Sequence, residues 1–276
     1  VGGAERNARR KRQAQNAARG KPAVAKHKPA DRKPVIIGAV VVVLLLAAVL
    51  GGVIYTNNQK NATEGQDIAT SELDDAAGGA SGDKVTYPVE REGAVVVAGE
   101  STAKVTIDAY EDFLCPVCGT FEQSFGDDMQ RHLAAGDLRV RYHMLPMLTE
   151  RSDPPGYSLD SADAALCAAD AGKFTEYHQA LYDAQPEEGA RGWDKQQLAK
   201  LGTDLGIDSA SFKSCVESGK YDKEIQSHFD EVRSAEYLQQ EVNGQKGFGT
   251  PTVANGRKVV DTANPKWLDE LLDDAS

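Results

Sequence analysis

Two of the four cysteines, Cys115 and Cys118, sit three residues apart around a proline in Asp112-Phe113-Leu114-Cys115-Pro116-Val117-Cys118-Gly119. Thiols at this spacing can form a reversible redox pair, supply half of a metal site or close a small structural disulfide. A four-cysteine zinc site would need a second closely spaced pair, whereas Cys167 and Cys215 are far apart in the chain. The redox reading has a mechanical basis. A cysteine at a helix N-terminus meets free backbone N–H groups and the positive end of the helix dipole, and both stabilise a thiolate. Cys118, one turn later on roughly the same face, could attack a mixed disulfide formed by Cys115 and release the other thiol. Pro116 would set the first turn where its missing N–H has no partner to lose. The five histidines form no HxxxH pair. His178 and His228 read as surface or packing residues, so no metal and no cofactor is assigned.

The elements that must position this pair are legible around it. Val95-Val96-Val97 suggests a short strand, and Val105, Ile107 and Ala109 alternate along a second that leads into the cysteines. Phe121, Phe125, Met129 and Leu133 then recur every four residues, predicting a helix that Gly136 stops. Leu138, Val140, Tyr142 and Met144 alternate with Arg139, Arg141 and His143 as a further strand, which completes a βαβ unit. From about residue 154 to 240 the pattern is helical. Leu159, Ala162 and Leu166 mark one helix, Phe174, Tyr177 and Leu181 a second, and Leu198, Leu201 and Leu205 a third. Asp208 would cap a fourth that holds Phe212 and Cys215, and Ile225, Phe229 and Val232 mark a fifth. Asn255-Gly256 predicts a two-residue hairpin between Pro251–Ala254 and Lys258–Val260. Asn264 and Pro265 would start a terminal helix carrying Trp267, Leu268, Leu271 and Leu272.

Charge divides the chain. Of 31 Lys and Arg, eleven fall in residues 1–33 with two acids; the rest of the chain holds twenty basic residues against forty acidic ones. Between these regions lies Val35–Ile54, a stretch without charge that as a helix would be about 30 Å long and match a bilayer's hydrocarbon core. A cleaved signal peptide would have a shorter apolar core and a small-x-small site after it, and Tyr55-Thr56-Asn57-Asn58 follows instead. The expectation is a single transmembrane anchor at 35–54, with a basic cytoplasmic arm at 1–34 and everything beyond it outside the cytoplasm. Residues 55–93, polar, acidic and small, read as a flexible linker, with the folded domain at 94–276. Asn61-Ala62-Thr63 has the form of a glycosylation sequon, a pattern that often arises by chance. The acidic outer domain argues against a nucleic-acid partner, and an oxidising location favours disulfide chemistry. Cys167 and Cys215, in two helices and flanked by apolar neighbours, are predicted to form a structural disulfide; two buried free thiols are the alternative.

The strand entering Glu111-Asp112-Phe113-Leu114-Cys115-Pro116-Val117-Cys118, the helical stretch, and Gly249-Thr250-Pro251-Thr252 before the hairpin together resemble the DsbA-like disulfide oxidoreductases of the thioredoxin superfamily. The resemblance covers about residues 92–275. It implies an α/β thioredoxin-like fold with an inserted helical subdomain at about 154–240, here preceded by a single N-terminal transmembrane helix. It further implies that Cys115 exchanges disulfides with exported proteins and that Cys118 resolves them. Pro116 and Val117 would support the pair. Thr250 and a cis Pro251 would present backbone groups to a substrate strand. A quinone-linked membrane oxidase of the DsbB or VKOR type would recharge the site. Two departures from the pattern stand out. Many members carry a buried acid where this chain has Ala109, for which Glu111 or Asp112 could substitute unless both are solvated strand-end residues. Strongly oxidising members have His where this chain has Val117, which implies a less acidic Cys115 and a milder oxidant. A reductase or isomerase of the same fold, or a redox-inactive peptide-binding module, are the alternatives.

Overall fold

The computed structural model describes residues 7–13, 61–70, 87–242 and 245–275. The chain divides into two units, Val1–Val53 and Ile54–Ser276. In the first, residues 7–13 form an exposed helix. The expected anchor at 35–54 lies outside the described residues, and among the described residues no helix is long and apolar enough to cross a membrane.

The second unit is built on strands β1 (Val89–Glu92), β2 (Val95–Ala98), β3 (Val105–Glu111), β4 (Leu138–Met144), β7 (Thr252–Asn255) and β8 (Lys258–Val259), in the spatial order β1-β2-β4-β3-β7-β8. Strands β3 and β4 run parallel, Ile107 opposite Val140, and are joined by helix α1 (Pro116–Ala135). A parallel pair needs such a crossover, and it places the start of α1 at the carboxyl end of β3. Val105, Ile107, Leu138 and Val140 are fully or nearly fully buried, each contributing about 1.5–3 kcal/mol of apolar burial. Gly136 ends α1 in the left-handed region, φ 77°, and its N–H reaches the carbonyls of His132 and Leu133. The last helix, α7 (Trp267–Asp274), packs Trp267 against Phe121 and Phe125 of α1.

Five helices form the insert: α2 (Tyr157–Asp170), α3 (Phe174–Asp183), α4 (Lys195–Asp204), α5 (Ala210–Ser218) and α6 (Asp222–Ser234). Helix α2 is its centre. Its run of Ala and Ser is buried on nearly every face, and these small side chains let α3, α4, α5 and α6 approach closely. The thioredoxin-like sheet with a helical insert is thus the architecture the chain adopts.

Several boundaries differ from the sequence reading. The sheet begins at Val89 rather than Ala94, because β1 pairs with β2 across a turn in which Gly93 takes φ 66°. Part of the stretch read as a flexible linker is fixed to the insert. The Thr63 hydroxyl donates to the Gly192 carbonyl (2.8 Å), Gln197 Nε2 donates to the carbonyls of Thr63 and Gln66, and Ile68 is buried. Helix α5 is capped by Ser209, not Asp208, since Ser209 Oγ accepts the Phe212 N–H. The β7–β8 loop is Gly256-Arg257, one residue later than read, because Asn255 pairs with Lys258 and Gly256 supplies the positive φ of 60°. Asn264 and Pro265 form a turn ahead of α7, with Asn264 Oδ1 accepting the Lys266 N–H. A hairpin absent from the sequence reading, β5 (Gln240–Val242) with β6 (Gln245–Gly247), follows the insert.

Candidate active site

The chain leaves β3, makes a short turn and enters α1 with Cys115 as its N-cap and Pro116 in the first turn. Cys115 has extended backbone (φ −74°, ψ 114°), and its carbonyl accepts the N–H groups of Cys118 (3.0 Å) and Gly119 (3.2 Å). Cys115 thus sits at the N-terminal end of α1, where the helix dipole is positive. The Cys115 thiol is pulled down to about 6. Its largest cause is a hydrogen bond from the Cys118 side chain; burial opposes it, and the Thr250 side chain and the backbone N–H groups of Cys118 and Val117 add to it. At pH 7 such a thiol is about nine-tenths thiolate. Cys118 is the opposite case: fully buried, it is pushed well up, first by burial and then by donating to Cys115 and by the Glu111 charge. The two sulfurs are both free thiols here. Both residues are buried, Cys115 at the margin of the site and Cys118 completely, and burial and hydrogen bonding push their thiols in opposite directions.

The facing wall is the loop before β7. Thr250–Pro251 is a cis peptide, and the Thr250 carbonyl lies 3.4 Å from Cys115 Sγ. The Thr250 hydroxyl points to Met147 Sδ (3.8 Å), in the loop after β4. Among the described residues, Val117, 61% exposed, and Met147, 36% exposed, are the exposed large apolar side chains, and each belongs to this site by sequence neighbour or contact. Cys115, Cys118, Pro116, Val117, Thr250 and Pro251 thus come together, whereas Cys167 and Cys215 lie within the insert. There they are bonded to each other, S–S 2.01 Å, tying α2 to α5.

The two acids before the cysteines are not solvated: both Glu111 and Asp112 are fully buried. Asp112 acts as a clamp. Its Oδ1 accepts the Leu114 N–H (2.8 Å) and its Oδ2 the Leu148 N–H (2.7 Å), which joins the turn before Cys115 to the Met147 loop. Burial, its largest influence, pushes the Asp112 carboxyl up to about 6. Ala109 lies in the core on β3 and carries no polar group to the site.

Gln185, just past α3, is a support the sequence reading missed. Its Nε2 donates to the carbonyls of both Phe113 and Cys115, each at 2.9 Å, and so pins the turn from the insert side. Gly119 makes this possible, because a Cβ there would collide with the Gln185 amide. The Gly after Cys118 was the available signal, but nothing in sequence says which distant residue fills its space.

Comparison with known proteins agrees with this geometry. The family model Thioredoxin_4, described as thioredoxin, matches residues 91–274. Among solved structures, reduced DsbA of Mycobacterium tuberculosis superposes with a TM-score of 0.52 at 25% identity, covering 67% of this chain and all of that one. The reduced disulfide bond oxidoreductase DsbG of the same organism gives 0.51 at 26% identity, covering 65% and 90%. Among curated proteins, the serine/threonine-protein kinase PknE of Mycobacterium tuberculosis is 32% identical over 184 residues. That match takes in 64% of this chain but only 31% of the kinase, so the chain spans about a third of the length of that relative. The chain belongs to the thioredoxin family, within its DsbA-like class of thiol-disulfide oxidoreductases. Its similarity to the kinase is confined to a part of that protein.

Proposed function

We propose that the protein catalyses thiol-disulfide exchange in exported polypeptides, with Cys115 as the sulfur that meets substrate and Cys118 as the resolving sulfur. The observation that carries this reading is the asymmetry of the pair: an acidic Cys115 at a helix start against the Thr250–Pro251 wall, and a buried, proton-holding Cys118 behind it. Starting from the oxidised pair, a substrate thiolate attacks Cys115 Sγ and breaks the Cys115–Cys118 bond. Cys118 leaves as a thiolate and takes a proton; in the reverse direction it is the sulfur that resolves the mixed disulfide. A second substrate thiolate then attacks the substrate sulfur of the mixed disulfide and releases Cys115 as a thiolate. Two electrons pass from the substrate dithiol to the enzyme; one proton stays on Cys118 and one goes to solvent. A leaving thiol near 6 departs readily, which favours oxidation of substrate.

Val117, Met147 and the Thr250 backbone supply an apolar and hydrogen-bonding surface of the kind an extended peptide can occupy. In this reading the domain lies outside the cytoplasmic membrane, tethered by residues 35–54, and a quinone-linked membrane oxidase of the DsbB or VKOR type re-oxidises it. The absence of a polar side chain at 117 makes it a milder oxidant than relatives with His there. The test is thiol trapping: Cys118→Ala should accumulate mixed disulfides through Cys115 with exported proteins, while wild type oxidises a reduced peptide. A variant that traps nothing, beside a wild type that neither oxidises peptide nor reduces insulin, would identify a redox-inactive binding module.

A further inference from the structure

Three side chains from three elements converge beside Cys118: Glu111 at the end of β3, Glu122 one turn after Cys118 on α1, and His178 on α3. One ligand atom of each lies within 4.8 Å of the other two, and Glu111 Oε2 is 3.6 Å from His178 Nε2. Glu111 has no exposed surface, and both of its oxygens lack a hydrogen-bond partner. Glu122 Oε1 and His178 Nε2 are likewise buried and unpartnered. Two carboxylates and an imidazole nitrogen in a dry space are costly unless a positive species neutralises them. The arrangement is also held in place. The His178 ring is wedged among Phe113, Tyr142, Phe174 and Tyr182 at centroid distances of 5.0–5.6 Å. A Cβ on Gly126 would come within 2.9 Å of Glu122 Oε2, so a glycine that is otherwise unfavourable inside a helix leaves room for this carboxylate.

We propose that Glu111, Glu122 and His178 form a binding site for a divalent cation of the zinc class. Two carboxylate oxygens and one imidazole nitrogen suit zinc, whereas magnesium and calcium call for six or more oxygen ligands. Zinc bonds of about 2.0–2.2 Å place tetrahedral ligand atoms about 3.3–3.6 Å apart. The Glu111–His178 separation of 3.6 Å already falls there, and the Glu122 ligand atom lies within 4.8 Å of both. Tyr182, whose hydroxyl is buried without a partner and within reach of Glu111, can donate to the Glu111 oxygen that the cation leaves free. The fourth position stays open. A single proton shared by the two carboxyls is the rival occupant, and it neutralises only one of the two charges.

The site does not depend on the redox reading, because it can be measured in the oxidised protein, where Cys115 and Cys118 are not available as ligands. Full-length oxidised protein is stripped with chelator and titrated calorimetrically with Zn²⁺; Co²⁺ absorption reports coordination. Wild type is expected to bind one equivalent, with a visible Co²⁺ band and a rise in Tm. Glu111→Gln and His178→Gln are each expected to weaken binding at least 10-fold, with the chelator-stripped variants folded by circular dichroism. No saturable binding by wild type overturns the proposal whether or not a variant folds. Equal affinity in wild type and a folded variant overturns it too, since the metal then lies on surface carboxylates.

Discussion

The molecule carries two cysteine pairs with the same chemistry and opposite circumstances. Cys115 and Cys118 are three residues apart at a helix start; Cys167 and Cys215 are 48 apart and join two packed helices. At the first pair the helix N-terminus, the partner thiol and the Thr250 side chain lower the pKa of one sulfur, beside the exposed Val117. At the second, both residues are buried, Cys167 Sγ lying 3.8 Å from the buried Asp163 carboxylate, and neither opens a helix. The difference teaches that reactivity is assigned by the backbone around a sulfur. A disulfide that closes a long loop inside a core restrains the unfolded chain. One that closes a single helical turn restrains little and can be spared for exchange.

Removing the reactive sulfur is the most severe way to separate the two pairs. Cys115→Ser should lower peptide oxidation and insulin reduction by at least about 1,000-fold while the melting temperature stays close to that of wild type. Breaking the other pair should do the reverse. Cys167→Ala with Cys215→Ala should cost about 4 kcal/mol for a loop of this length, seen as a Tm lower by roughly 10 °C, with exchange per folded molecule unchanged. A smaller effect is expected from pH. Alkylation of Cys115 should fall about tenfold between pH 7 and pH 5, with its midpoint near 6. Because this thiol's pKa is lowered on folding, its contribution to the stability of the reduced protein is fully present above the unfolded value near 9. That contribution is lost as pH falls through about 6. Urea melts of the reduced protein at pH 5 and pH 9 should show that sign. Val117→His should lower the Cys115 midpoint further and raise the reduction potential by tens of millivolts, at about 30 mV per 1.4 kcal/mol, as read in glutathione buffers. Gln185→Ala should have the smallest effect, about 1–2 kcal/mol of stability from two lost hydrogen bonds, with faster alkylation of Cys118.

Much of the site was legible because its positioning elements are strongly patterned. Val105, Ile107 and Ala109 leading into the cysteines, and Phe121, Phe125, Met129 and Leu133 following them, declare strand and helix unambiguously, and Pro116 marks where the helix starts. What escaped lies where pattern is weak or distance is long. Strand β1 reads Val-Glu-Arg-Glu and hides because only its pairing with β2, not its composition, makes it a strand. The β5–β6 hairpin is polar for the same reason. Asp208 and Ser209 are equally good caps on paper, and the backbone chose the one whose side chain reaches Phe212. Gln185, Met147 and His178 come to the site from separate elements, so no local spacing announces them, and Glu122, one turn after Cys118 on α1, reads like any polar helix residue. For Glu111 and Asp112 the sequence leaves open a buried supporting role or a solvated strand end; both are buried, Glu111 at the end of β3 and Asp112 in the turn into α1.

The contrast between the two pairs can be measured in a single redox titration. The intact protein is equilibrated in glutathione buffers, quenched by alkylation and read by mass spectrometry for each pair. Cys115–Cys118 should open in the range between about −120 and −270 mV, while Cys167–Cys215 stays bonded down to about −300 mV. Joint reduction of both pairs, or a Cys167–Cys215 bond that opens first, would contradict the assignment of exchange to Cys115 and Cys118.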